Sequence, residues 1–97
     1  MQFRKKLGIA YFNQGFFNIG VTYSDYFGDH SSPISVQLGD SGNIVNGYVN
    51  RTANKNGTPR IMLGKSYTVW VQENFNMGDY MDVAILNPVS LRLYRSK

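Results

Sequence analysis

Short segments in which apolar and polar residues alternate constrain the fold of this chain more than any other feature of its sequence. Such alternation is typical of half-buried β-strands. It predicts a strand over residues 17–21 and a hairpin over 34–38 and 44–51, with the turn at 39–43. Further strands are predicted over 60–63, 79–86 and 89–94. Gly and Asn, which occur ten times each, supply the turn residues between these segments.

One stretch has the period of a helix instead. Tyr67, Trp70, Val71 and Phe75 recur at helical spacing, which predicts a helix over residues 66–75 with its aromatic face on the sheet. We also expect a short helical turn near Ser24 and Asp25. Short strands with one or two inserted helices predict a mainly β fold, a barrel or a sandwich. With 97 residues and neither linker nor repeat, we expect a single domain, 1–97.

The composition argues against most catalytic and metal-binding functions. The chain has no Cys and a single histidine, His30, so it offers neither a thiolate zinc site nor a histidine cluster. Its six acidic residues are spread singly, whereas a nuclease needs clustered carboxylates to hold Mg²⁺. We therefore expect a binding domain, not an enzyme, with no metal and no cofactor. No apolar run is long enough to span a membrane, and we expect a cytoplasmic protein.

Basic and acidic residues are segregated along the chain. Basic blocks without an acid cover residues 1–24, 51–65 and 92–97, and acidic blocks without a base cover 25–50 and 66–91. The formal net charge is +4. A charge run is often only a solvated face, and that interpretation stays open for the terminal blocks.

The middle basic block has an unusual composition. Residues 50–60 contain no large apolar side chain, which predicts an exposed loop. Arg and Lys neutralise phosphates, while Arg and Asn make paired hydrogen bonds to the edges of guanine and adenine. The mixture therefore favours a loop that faces a polyanion over a simple connection between strands.

The stretch from Arg60 to Leu86, RIMLGKSYTVWVQENFNMGDYMDVAIL, combines a short strand, an aromatic helix, Glu73-Asn74-Phe75, Gly78-Asp79 and an apolar strand. In this order of features the chain resembles the DNA-binding pseudobarrel (B3-type) family. That family includes plant B3 transcription-factor domains and the recognition or effector domains of bacterial restriction endonucleases. The plant form usually has Gly-Trp at the start of its helix, whereas Tyr67 and Trp70 are offset here, so the resemblance leans toward a prokaryotic relative.

The resemblance implies an open seven-stranded pseudobarrel that holds double-stranded DNA in the major groove between two arms. The first arm would be Gly8–Gly15 and the second Asn50–Arg60, with Arg51, Lys55 and Arg60 protruding side by side. We expect sequence-specific binding, and a fused or associated nuclease domain as a further partner. Contacts to base edges are expected from Asn13, Gln14, Arg51, Asn54, Lys55, Asn56 and Arg60. Tyr11 would add apolar contact, Thr52 belongs to the second arm, and Arg4, Lys5, Lys6 and Lys65 would hold phosphates.

Three other functions remain open at this point. Tyr, Trp and Asn also suit a carbohydrate-binding β module, which would not need the basic blocks. Exposed Tyr and Phe would suit a barrel that stacks the bases of single strands. A protein-binding accessory domain is the third alternative. For single residues, we expect Trp70 to belong to the core, Asp79 to be a turn residue and His30 to be solvated, not catalytic.

Overall fold

Seven β-strands and two α-helices make up the part of the chain that the structure, a computed structural model, describes, residues 1–40 and 43–95. The strands are β1 (Gln2–Lys6), β2 (Phe16–Asn18), β3 (Pro33–Leu38), β4 (Asn43–Asn50), β5 (Arg60–Met62), β6 (Tyr80–Asn87) and β7 (Ser90–Arg95). The helices are α1 (Ile9–Asn13) and α2 (Lys65–Asn74), and a short 3-10 helix covers Ser24–Tyr26. Ser41 and Gly42 of the expected turn, and Lys97 of the last basic block, lie outside the described residues.

The strands form one curled, open sheet in the order β1-β6-β7-β3-β4-β5-β2. Neighbouring strands are antiparallel except β3 and β7, which run parallel. The expected mainly β fold, an open seven-stranded pseudobarrel with one or two short helices, is confirmed as a curled open sheet with two short helices. β1 and β2 are the two edge strands. The Phe3 ring of β1 stacks on the ring of Tyr23, which follows β2 in the chain, with centroids 5.1 Å apart.

The core lies on the inner, concave face of this sheet, under α2. Alternate residues of each strand point inward, as the period of two requires. From α2, Tyr67 and Val71 are fully buried, and Phe75 follows just beyond the end of the helix. The fully buried strand residues are Phe17, Val36, Val49, Ile61, Met81, Val83, Leu91 and Leu93. Trp70 packs half-buried against this core with its ring edge-on to Phe75, as expected of a core residue.

Three local elements differ from the sequence-based expectation. β1 was not expected as a strand, because Lys5 occupies the inward-facing position after Phe3 and interrupts the apolar alternation. The strand expected over 17–21 ends at Asn18, since Gly20 takes a positive φ of 87° and turns the chain, leaving Val21 exposed. The expected first arm contains the helix α1 in place of an irregular loop.

Candidate nucleic-acid interface

A row of three amide and guanidinium side chains crosses the outer face of the sheet. The strand register places Asn50 of β4 opposite Arg60 of β5, and Arg60 opposite Asn18 of β2. The next residues along these strands, Val49, Ile61 and Phe17, are buried, so Asn50, Arg60 and Asn18 point to the opposite, outer face. These three residues are called the Asn–Arg–Asn row below.

A second, apolar row lies beside it on the same face. It consists of Tyr48, Met62 and Phe16, again opposite one another in the register. Tyr48 is 44% exposed, and the other two side chains are half-buried. The guanidinium carbon of Arg60 lies 4.1 Å from the centroid of the Phe16 ring, which is within the range of a cation–π contact.

Arg60 is held in place from one side only. Its Nε donates a hydrogen bond to Asn18 Oδ1 at 3.1 Å, and its Nη2 lies 3.5 Å from Asn54 Oδ1. Asn54 in turn donates from Nδ2 to Asn18 Oδ1 at 2.9 Å. Within residues 1–40 and 43–95, Nη1 of Arg60 has no hydrogen-bond partner, so this edge of the guanidinium can accept a ligand.

Arg51, at the start of the second arm, is used quite differently. An arginine side chain has five N–H donors, and all five of Arg51 form hydrogen bonds. Nε donates to the carbonyl of Gly28, and Nη1 donates to Ser24 Oγ and to the carbonyl of Gly57. Nη2 donates to the carbonyls of Ser24 and Phe27. The expectation that Arg51 protrudes beside Lys55 and Arg60 is therefore wrong. Its guanidinium fastens the arm to the turn at residues 24–28.

The rest of the second arm is shaped by Asn side chains that accept hydrogen bonds from nearby backbone. Asn50 Oδ1 accepts from the backbone N–H of Thr52 and of Ala53 and from the Thr52 hydroxyl. Asn56 Oδ1 accepts from the N–H and the hydroxyl of Thr58. Such bonds stabilise turns without a regular element. The arm is thus a structured loop.

A polar groove of about 460 Å³ lies between this arm and the end of β2. It is lined by Asn18, Gly20, Asn54, Lys55, Asn56 and Thr58. Lys55 and Asn56 are exposed at its rim. Lys5 Nζ lies close to Gly20, 4.0 Å from where a Cβ would stand, and burial lowers the pKa of this lysine. An ammonium group therefore also stands next to the groove on the side of β1.

The carboxylates do not neutralise the cations of the second arm. The described ion pairs join Arg4 to Asp82, at 3.0 Å, and Arg92 to Asp40. Within the part of the chain that the structure describes, Arg51, Lys55 and Arg60 have no carboxylate within ion-pair distance. The positive charge of this surface is therefore available to an anionic ligand.

The first arm is held against α2. Gln72 Nε2 donates to the carbonyl of Phe12 and to Asn13 Oδ1, while Asn13 Nδ2 donates back to the carbonyl of Ile9. The amide of Asn13 is thus engaged within the chain, whereas the side chain of Gln14 is exposed. The Tyr11 ring meets the Phe16 ring edge-on at 6.0 Å, which joins this arm to the apolar row.

The remaining expected phosphate contacts are dispersed. Lys6 is exposed on β1, beside the start of the first arm. Lys65 lies on the first turn of α2 and lines another cleft, of about 540 Å³, together with Trp70, Val69, Ile44 and Glu73. The structure brings together Arg60, Asn54, Lys55 and Asn56, with Thr52 in the same loop and Lys5 nearby.

The sequence-based list missed Asn18, Phe16 and Tyr48. Asn18 stands between the apolar residues Phe17 and Ile19, on the polar face of a predicted strand, and that position was the available signal. Its contact with Arg60 depends on the pairing of β2 with β5, 42 residues apart in the chain. No local pattern reveals such a pairing.

The described residues contain neither a cluster suited to a metal ion nor a helix suited to crossing a membrane. In residues 1–40 and 43–95, no three His, Cys, Asp or Glu side chains come together as a metal site would require. Over the same residues, no helix has the length and apolar character needed to cross a membrane. Asp79, expected as a turn residue, accepts a hydrogen bond from the backbone N–H of Asn76 at 2.8 Å.

Comparisons with known proteins place this fold beside one solved structure. No protein-family model and no curated protein sequence matches the chain. The structure is similar to the N-terminal domain of Helicobacter pylori LlaJI.R1, a restriction-system protein, with a TM-score of 0.73. The similarity covers 97% of this chain and 79% of that one, at 9% sequence identity. At this identity the likeness concerns the fold alone.

Proposed function

We propose that this chain binds double-stranded DNA, without catalysing a reaction on it, as a recognition domain of a restriction-type or regulatory protein. The contact surface would comprise the Asn–Arg–Asn row, the groove beside it and the exposed tip of the second arm. The observation that carries the proposal is the combination of the Arg60 guanidinium, flanked by side-chain amides, with the adjoining ammonium of Lys55. Among residues 1–40 and 43–95, Nη1 of Arg60 has no hydrogen-bond partner and Lys55 has no carboxylate partner.

Each part of this surface has a role that its chemistry suits. The exposed Lys55 at the rim would neutralise a phosphate, and Lys5 would add to the positive potential of the groove. Asn56 and Arg60 would face base edges, which are read by amides and guanidinium groups in the major groove. Arg51 would act indirectly by holding the arm in shape. The similarity in fold to a restriction-system protein supports the same function.

The test is a fluorescence-anisotropy titration of labelled DNA at several salt concentrations. The duplexes carry a randomised core, and unlabelled single strands serve as the competitor. We expect duplex affinity to fall linearly with salt on logarithmic axes, and the Lys55→Ala variant to reduce the slope by about 0.9 for the lost phosphate contact. Arg95→Ala is the matched control, since the exposed Arg95 lies on β7, which β3 and β4 separate from β5.

Each alternative function predicts a different result. A binder of single strands would be displaced from the duplex by the single-stranded competitor. A carbohydrate-binding module would show no salt-dependent affinity for DNA. If Lys55→Ala and Arg95→Ala changed the salt dependence equally, the second arm would not be the contact surface.

A further inference from the structure

The guanidinium of Arg60 is oriented before any ligand arrives. The Phe16 ring lies 4.1 Å away, and Asn18 Oδ1 accepts the hydrogen bond from Nε at 3.1 Å. Two contacts from the same strand therefore restrict both the plane of the guanidinium and its rotation. A side chain ordered in advance loses less conformational entropy on binding than a free one.

This orientation leaves the edge formed by the two Nη atoms available to a ligand. Nη1 has no partner among residues 1–40 and 43–95, and the contact from Nη2 to Asn54 Oδ1 is long, at 3.5 Å. Two neighbouring N–H donors on one rigid edge match two neighbouring acceptors. In the major groove guanine presents such a pair, N7 and O6, whereas adenine presents one acceptor and one donor.

We infer that Arg60 reads a guanine in the major groove and that Asn18 is the residue that positions it. The inference rests on the proposed binding of duplex DNA and names the base that the same surface recognises. Arg60 lies half-buried on the sheet between its neighbours in the row, while the exposed Lys55 lies on the rim. The half-buried position of Arg60 suits contact with a base edge, and the exposed position of Lys55 at the rim suits contact with a phosphate.

Asn18 links three parts of the surface through one atom. Its Oδ1 accepts hydrogen bonds from Arg60 Nε and from Asn54 Nδ2, so it connects β2 to β5 and to the second arm. The Asn18→Ala variant would release Nε and allow the guanidinium to rotate away from the reading orientation. We therefore assign Asn18 a positioning role, in which it acts on the base through Arg60.

The experiment starts from duplexes that the wild-type chain selects from a pool with a randomised core. Each guanine of a selected duplex is then replaced in turn by 7-deazaguanine, which lacks the N7 acceptor. At one position we expect the replacement to weaken wild-type binding by roughly 5- to 150-fold. In the Arg60→Ala variant the same replacement has little further effect, as a double-mutant cycle requires of a direct contact. Arg60→Lys retains an N–H donor and should keep part of the effect.

Asn18→Ala tests the positioning role separately. It is expected to reduce the effect of 7-deazaguanine at that position without changing the salt slope, because the substitution removes no charged group. In the Arg95→Ala variant we expect 7-deazaguanine to weaken binding as much as it does in the wild type. Thermal unfolding shows whether each variant is folded. Arg60→Lys retains the positive charge but lacks the two adjacent Nη donors. Comparing it with Arg60→Ala therefore separates the effect of losing these donors from the effect of losing the charge.

The failure of this inference is distinguishable from the failure of the proposed function. If the wild type binds duplex with the expected salt dependence but no 7-deazaguanine position responds to Arg60, the reading of guanine is overturned while DNA binding stands. If Arg60→Ala weakens all duplexes equally, Arg60 contacts a phosphate and the inference is likewise wrong. If no salt-dependent duplex binding is seen, both fail.

Discussion

Arg51 donates a hydrogen bond from Nε to the backbone carbonyl of Gly28 at 2.7 Å, and this bond joins the second arm to the turn that follows the short 3-10 helix. The other four N–H groups of Arg51 also donate. Their acceptors are the hydroxyl and the carbonyl of Ser24, the carbonyl of Phe27 and, within the arm itself, the carbonyl of Gly57. Arg51 and Arg60 therefore lie at the two ends of the same loop but differ in their hydrogen bonds. Arg51 supports the loop, whereas Nη1 of Arg60 has no partner in the part of the chain that the structure describes.

Replacing Arg51 should destabilise the fold. Arg51→Met leaves several half-buried carbonyls without donors, and hydrogen bonds to charged groups contribute about 1.5–3 kcal/mol each. Since these bonds are only partly buried and act as a unit, we expect a loss of about 2–4 kcal/mol in the free energy of unfolding. Arg51→Lys should recover only a fraction, because lysine lacks the planar fork. Urea denaturation measures both.

Arg95→Met is the control for this experiment. Arg95 is exposed at the end of β7, and its replacement should change the free energy of unfolding by no more than about 0.5 kcal/mol. Equal stability of Arg51→Met and Arg95→Met would show that the five hydrogen bonds do not hold the arm.

Two glycines that flank α1 should respond to alanine in opposite ways. A Cβ at Gly15 would lie 2.4 Å from the Cα of Gly64, which is backbone and cannot give way easily. Gly15→Ala should therefore cost about 1–3 kcal/mol or more. At Gly8 no atom of residues 1–40 and 43–95 lies within 4 Å of an added Cβ, and φ is −69°.

Gly8→Ala should consequently be neutral or stabilise the fold by up to about 1 kcal/mol, because alanine restricts the unfolded chain. Thermal or urea unfolding of the two variants side by side provides the measurement. A Gly15→Ala variant as stable as Gly8→Ala would mean that the close approach of the first arm to the start of α2 does not occur.

The buried Tyr67 should make stability depend on pH in the alkaline range. Burial raises the pKa of Tyr67 above its ordinary value of 10.0, and the nearby Tyr11 raises it further. Above that ordinary value the unfolded chain loses the proton while the folded chain keeps it. The contribution of Tyr67 to the free energy of unfolding therefore falls by about 1.4 kcal/mol per pH unit at higher pH, and is constant below.

The comparison of wild type with Tyr67→Phe isolates this group from the other tyrosines. The difference between their free energies of unfolding should be constant up to about pH 9 and should shift in favour of the variant by about pH 11. Urea unfolding over this range is the measurement. Parallel pH profiles for the two proteins would contradict the burial of the Tyr67 hydroxyl.

Much of the fold could be predicted because strands such as β3, and the helix α2, bury only one face. One-sided burial leaves a periodic pattern of apolar residues in the sequence. The expected hairpin corresponds to β3 and β4, and the expected helix over 66–75 to α2, shifted by one residue. In β3 the apolar residues Ile34, Val36 and Leu38 mark the core-facing side, whereas in β4 Ile44 and Tyr48 are apolar but exposed. β1 escaped prediction because Lys5 faces inward and reaches along Phe3 toward Gly20, so that its position is polar in sequence but half-buried in the structure.

The candidate site could be predicted only as a segment. The composition of residues 50–60 indicated an exposed, cationic loop, and the groove indeed lies against it. The sequence could not show which of the two arginines forms fewer hydrogen bonds within the described residues. Arg51 donates mainly to acceptors at residues 24–28, and Arg60 donates to Asn18 on another strand. These contacts depend on tertiary pairing, which composition does not encode.

The most direct measurement of the central claim is a titration of isotope-labelled protein with a short DNA duplex, followed by amide chemical shifts. We expect the largest shifts at Asn18, Lys55, Asn56 and Arg60, and little change at Val69 and Trp70, which line the cleft of α2. Shifts concentrated in that cleft, or shifts produced by single strands and not by duplex, would contradict the claim that this surface binds double-stranded DNA.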